Sequence, residues 1–232
     1  MSNAVAQHAE SPQLLSHFDD LQQQDESTKL GMWTFLATEV MFFGGMFLAY
    51  ILFRWLYHGG FAVGSNELIM PAGFINTGVL LVSSLTMALA VDEAKLGNHK
   101  SVVRFLILTM ILGSIFLGVK AFEYITDYHE NLIPGLNFHP EHLIEELEKS
   151  GNMEDLPHVK LFFVLYFAMT GLHALHMVIG IAVLAVLAYL IFKNKFADGA
   201  TVESVGLYWH FVDLVWVFLF PLLYLIDLNH KP

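Results

Sequence analysis

Cysteine is absent from the 232 residues. The chain therefore forms no disulfide, ligates no iron–sulfur cluster and runs no thiolate chemistry. Charge is the second scarcity. Only 14% of residues are Asp, Glu, Lys or Arg, against about 25% in a soluble domain. With 56% apolar residues and a mean hydropathy of +0.56, the composition is that of a membrane protein. Proline is sparse as well, and Pro221 is the one proline deep inside an apolar run. No internal repeat is visible, which argues against a carrier built from inverted repeats and interrupted helices. The N-terminus has no basic stretch leading into a short apolar run. A cleaved signal peptide is thus not expected, and the first span is expected to do the targeting. A net charge of −11 argues against nucleic acid as a partner.

What is present is a series of long apolar runs. A membrane-crossing helix needs about 20 such residues, and five runs qualify, at about residues 30–57, 71–91, 103–126, 160–192 and 207–228. The fold class expected is all-α: a five-helix transmembrane bundle over residues 29–232, preceded by a polar tail at residues 1–28. The fourth run is too long for one crossing and is expected to tilt or to continue into solvent. Lys29, Lys95, Lys100, Arg104, Lys193 and Lys195 fall on one side, and Arg54, Lys149, Lys160 and Lys231 on the other. This bias puts the N-terminus in the cytoplasm and the C-terminus outside. Trp33 and Trp55 suit interfacial anchors. Arg54, Lys193 and Lys195 lie where lipid phosphates would sit and are candidate lipid contacts.

The segment 127–159 is the one sizeable polar loop. It holds Asp127, Glu130, Glu141, Glu145, Glu146, Glu148, Glu154 and Asp155. Within it, 141–149 reads as a short amphipathic helix with Leu143, Ile144 and Leu147 inward. An acidic face could dock a basic redox partner, although a charge run is more often a solvated surface. His129, His139, His142 and His158 fall in the same segment without metal-ligand spacing.

The polar residues inside the spans carry the chemistry, because an ionisable group in lipid costs roughly 2.5–3.5 kcal/mol on insertion scales. They are Glu39 in span one, Lys120 and Glu123 in span three, His173 and His176 in span four, and His210 and Asp213 in span five. Lys120 and Glu123 stand i,i+3 and are expected to form a self-contained ion pair near the outer end, with Asp127 one turn on. His173, His176 and Gly180 share one helix face, as do His210 and Asp213. Glu39, His176 and Asp213 lie at compatible depths, so one buried cluster linking spans one, four and five is expected. It would act either as a structural clamp or in tuning proton delivery. His173 and His176 share a face and so cannot be the two axial ligands of one haem. No metal site is expected in this chain, and no catalytic residue.

Five motifs, one per span, carry a family resemblance. Span one reads Thr38-Glu39-Val40-Met41-Phe42-Phe43-Gly44-Gly45, and span two has Asn76-Thr77 followed by Ser83-Ser84. Span three ends Ala121-Phe122-Glu123-Tyr124. Span four contains Gly171-Leu172-His173-Ala174-Leu175-His176-Met177-Val178-Ile179-Gly180, and span five Tyr208-Trp209-His210-Phe211-Val212-Asp213. In order and placement these resemble subunit III of the haem-copper cytochrome oxidases, in the five-helix form of some bacterial quinol and cytochrome c oxidases. Fuller versions of that subunit carry additional helices, and lipid positions on those helices cannot be transferred here.

The resemblance implies a cofactor-free accessory subunit of a proton-pumping oxidase in the bacterial inner membrane. Haem and copper would be held by subunits I and II, and phospholipid would be bound at the subunit's surface. Partners so implied are subunits I and II, membrane lipids, and cytochrome c or a cytochrome c-reducing complex. The alternative with the same fold is a subunit-III-like partner of nitric oxide reductase or of another respiratory complex. The acidic segment is longer than in the compact relatives and is not assigned by the resemblance.

Overall fold

The computed structural model describes residues 19–135, 138–193 and 199–226. Residues 1–18 of the expected tail, Lys195, and the last two residues of the expected fifth span fall outside them. Among the described residues the chain is helical and contains no strand. Five helices are long and apolar enough to cross a membrane.

Helix α1 (Leu21–Leu56) begins well before the apolar run. Asp20 supplies its N-cap, its carboxylate accepting from the Gln23 N–H at 2.7 Å. Part of the segment read as tail is therefore the solvent-facing first turns of a helix roughly 54 Å long, well beyond the ~30 Å hydrocarbon core. Helix α2 (His58–Asn66) follows at once. It lies in the link between the first two apolar runs, where a glycine-rich stretch is more usual in a loop than in a helix. The glycines serve contact instead. A Cβ on Gly60 would run into His158, and one on Gly64 into the Phe162 ring, so α2 lies against the next long helix almost backbone to side chain.

Helices α3 (Met70–Lys95), α4 (His99–His129), α6 (Leu156–Phe192) and α7 (Gly199–Tyr224) form a closed ring, each packed on two others: α3 on α4, α4 on α6, α6 on α7 and α7 on α3. Helix α1 stands outside this ring, against α7 and to a lesser extent α6. It leaves Met41, Leu48 and Trp55 exposed to the bilayer. Trp209 is the keystone of the ring. Its indole fills the space left by Gly113 on α4 and Gly180 on α6, where a Cβ would come within 2.8 and 3.0 Å of it. Its Nε1–H donates to Ser83 Oγ on α3 at 3.0 Å. Two glycines from different helices thus face one occupant.

Segment 127–159 is a cap rather than a free loop. Helix α4 runs on to His129, α5 spans Glu141–Ser150, and a 3-10 turn at Met153–Asp155 leads into α6. Leu132, Leu143 and Leu147 are buried beneath the cap. Glu130, Glu141, Glu145, Glu148 and Glu154 stay exposed while Asp127 is buried, and His142 Nε2 on α5 meets Glu67 of the α2–α3 link at 2.9 Å. At the opposite end of the bundle, Lys29 and Lys95 both approach Glu203, at 4.0 and 3.6 Å. The start of α1, the end of α3 and the start of α7 therefore lie on one side of the membrane. That pairing also explains why α7 begins at Gly199, ahead of the apolar run.

Candidate functional site

Glu39 sits near the midpoint of α1, and His176 near the midpoint of α6. They meet, with Oε2 of Glu39 3.2 Å from Nε2 of His176 and both side chains mostly buried. Phe43, one turn along α1, presents its ring edge-on to the His176 imidazole at 5.3 Å and also touches Phe211 on α7. Tyr208 adds a further tie by donating to the His176 carbonyl at 3.0 Å. These contacts seat an otherwise loosely held α1 on the ring.

Hydrogen bonding orients the imidazole. His176 Nδ1 is 2.8 Å from the Leu172 carbonyl oxygen, which only accepts, so Nδ1 is the donor there and Nε2 is left to face the Glu39 carboxyl. The pair joins α1 and α6 near the middle of both helices.

The other expected members of the cluster lie elsewhere. Asp213, on α7, is buried, and both carboxyl oxygens lack a hydrogen-bond partner; it bonds to neither Glu39 nor His176. Helix geometry explains the separation. Phe211 and Tyr208 occupy the α7 face toward α1, while Asp213 turns toward α3 with Trp209. His210 is beside it, its Nδ1 2.7 Å from Ser84 Oγ on α3. His173 is fully enclosed between Phe116 and Trp216, with no partner for either ring nitrogen. The three membrane histidines thus occupy three separate environments. Among the described residues no group of three His, Cys, Asp or Glu side chains converges as a metal site.

Lys120 and Glu123 pair at 2.8 Å, yet they are more than a local i,i+3 bridge. Lys120 Nζ also donates to Tyr166 OH at 3.0 Å and Tyr224 OH at 3.1 Å, and Tyr224 OH donates to the second Glu123 oxygen at 2.6 Å. The ammonium lies 4.9 to 5.8 Å from the ring centroids of Tyr124, Tyr166, Trp216 and Tyr224. Asp127, one turn on, is buried with Oδ2 unpartnered. The sequence signal that identifies this hub is the presence of Tyr166 and Tyr224 at matching depth in the neighbouring spans. Of the lipid-contact candidates, Arg54 is half-buried and Lys193 is exposed, its ammonium 5.9 Å from the Tyr189 ring.

The model of the family described as cytochrome c oxidase subunit III matches residues 16–130 and 146–227, leaving out part of the acidic cap. The chain is 32% identical over 202 residues to cytochrome c oxidase subunit 3 of Corynebacterium diphtheriae, covering 85% of this chain and 87% of that one. It is 30% identical over 224 residues to cytochrome c oxidase subunit 3 of Alkalihalophilus pseudofirmus, covering 93% and 95%. Against quinol oxidase subunit 3 of Bacillus spizizenii it is 30% identical over 205 residues, covering 86% and 87%. With five membrane-length helices and relatives of this kind, it is a multi-pass protein of the bacterial inner membrane. The chain belongs to the cytochrome c oxidase subunit III family.

Proposed function

We propose that the chain is the cofactor-free accessory subunit III of a proton-pumping terminal oxidase that reduces oxygen to water. In that complex it stabilises subunit I, holds phospholipid and supports proton uptake. The observation that carries this reading is the Glu39–His176 pair, an ionisable couple in contact near the middle of α1 and α6. Such a couple buffers protons beside a catalytic neighbour and also clamps α1 to the bundle.

Lipid holding is supported by an apolar groove of about 430 Å³ along α6 and the start of α7, lined by Ile179, Val183, Val186, Thr201 and Val205. It starts one turn beyond His176 and runs toward Lys193. A phospholipid with its phosphate at Lys193 would lay an acyl chain up to the Glu39–His176 pair. In the bilayer, the N-terminus and Lys193 face the cytoplasm and the acidic cap faces outward. Accordingly, Ser101→Cys should label only from the cytoplasmic side and Ser150→Cys only from outside; the reverse pattern refutes this orientation.

The test of the assignment is gentle purification through a tag on this chain. Subunits I and II should co-purify with a- or o-type haem and oxygen consumption. A colourless chain that brings down no haem protein would refute the assignment. Within the complex, Glu39→Gln keeps a donor for Nε2 and should leave assembly intact, while slowing turnover or shortening catalytic lifetime at high pH, where proton supply limits. Glu39→Ala leaves Nε2 unpaired at a cost of about 1–3 kcal/mol and should loosen the subunit. Normal high-pH lifetime in Glu39→Gln would remove the proton-uptake role and leave the clamp.

A further inference from the structure

We propose that helix α5 is a flap held on the capped end of the bundle by a protonated histidine, with the His142–Glu67 pair as its latch. His142 Nε2 stands 2.9 Å from Glu67 Oε2 and so ties α5 to the α2–α3 link, 75 residues away in sequence. Glu67 is the more enclosed partner, its side chain 20% exposed against 49% for His142. A carboxylate so placed holds an imidazolium more tightly than a neutral imidazole, because only the imidazolium brings it a charge. His142 belongs to the part of the cap that the family model leaves out, whereas Glu67 lies in the matched body.

The rest of the hold on α5 is slight enough for one pair to matter. Leu143 and Leu147 bury its apolar face, and it packs on the 3-10 turn at Met153–Asp155. Glu141, Glu145 and Glu148 stand at i, i+4 and i+7, so one exposed face gathers like charges, with Lys149 2.7 Å from Glu145 as compensating cation. Gly151 ends the helix at a φ of 74°, and Gly135 bends the chain ahead of it at 89°, so a glycine turn stands on either side of the flap. The other titratable groups around His142 do not take its place. Glu141 and Glu145 flank it on α5, Glu154 on the 3-10 turn is exposed, and His139 ahead of α5 is exposed. Asp155 is 3.3 Å from His158 Nδ1, a pair that joins the turn to α6 and not to α5. Closing the flap thus binds a proton on His142. Closure is favoured at low pH and weakens as pH rises through the range in which a histidine becomes neutral.

Thiol labelling of the full-length chain tests this, because the chain has no cysteine of its own. Leu143→Cys places the reporter under the flap, and Glu148→Cys, exposed on the same helix, corrects for the reagent's own pH dependence. Between about pH 5.5 and about pH 8, the labelling rate of Leu143→Cys relative to Glu148→Cys should rise about threefold, as befits a half-exposed ion pair. Adding His142→Gln or Glu67→Gln should abolish the rise and hold the ratio at its high-pH level. A ratio that stays constant with pH while His142 and Glu67 are intact overturns the proposal, as does a rise that survives both substitutions. Amide hydrogen exchange on the unsubstituted chain covers the case in which Leu143→Cys itself frees the helix. Corrected for intrinsic exchange, protection over residues 141–149 should fall across the same pH range. Protection that stays constant or increases overturns the proposal.

Discussion

Two buried polar regions of this chain contrast in how their hydrogen bonds are completed. Around Lys120, side chains from α4, α6 and α7 converge until the ammonium has three oxygen partners and both Glu123 oxygens are engaged. Around Asp213 two helices meet as closely, yet the carboxyl has no partner and His210 has one. Both sit in spans of a membrane protein, where an unsatisfied polar group is costly. The difference separates a cluster closed by its own hydrogen bonds, which fixes the fold, from a carboxyl enclosed without one. Beside Lys120, Asp127 Oδ2 is left without a partner.

Breaking the complete cluster should have the largest effect. Lys120→Met strands Glu123 among two tyrosine hydroxyls and should cost about 3–5 kcal/mol, seen as loss of the chain from membranes or a large fall in its detergent melting temperature. Adding Glu123→Leu should recover part of that loss, because no buried charge is then unmatched. Were the double variant to melt below Lys120→Met, the pair would not act as a unit. Next in size is the Trp209 slot. Gly113→Val drives a branched side chain into the indole and should cost about 1–3 kcal/mol by the same melting assay. The smallest effect is expected on α1: a Cβ added at Gly44 or Gly45 would meet no atom within 4 Å, so Gly44→Ala and Gly45→Ala should change stability by no more than about 0.5 kcal/mol.

The sequence made the five long helices legible, since hydropathy over 20 residues reports burial in lipid directly. It also showed the inward face of α5, through Leu143 and Leu147. Helix α2 was not legible, because Gly59, Gly60 and Gly64 signal flexibility in a sequence and close approach in a fold, and only the neighbouring Phe162 and His158 distinguish the two. Glu39, His176 and Asp213 all read as polar groups at one depth. Which of them meet depends on helix rotation, and the aromatic pair Tyr208 and Phe211 sets that rotation by facing α1. Lys120 read as a local pair because i,i+3 spacing is visible within one helix, whereas Tyr166 and Tyr224 arrive from 46 and 104 residues away.

The melting temperature of Asp213→Leu, set beside that of Lys120→Met in the full-length chain, tests most directly the contrast between a hydrogen-bonded cluster and an unpartnered carboxyl. Replacing an unpartnered buried carboxyl with an apolar side chain of similar size should leave the melting temperature unchanged or raise it. A fall in the isolated chain's melting temperature comparable to that of Lys120→Met would contradict this, showing that Asp213 is satisfied within its own fold.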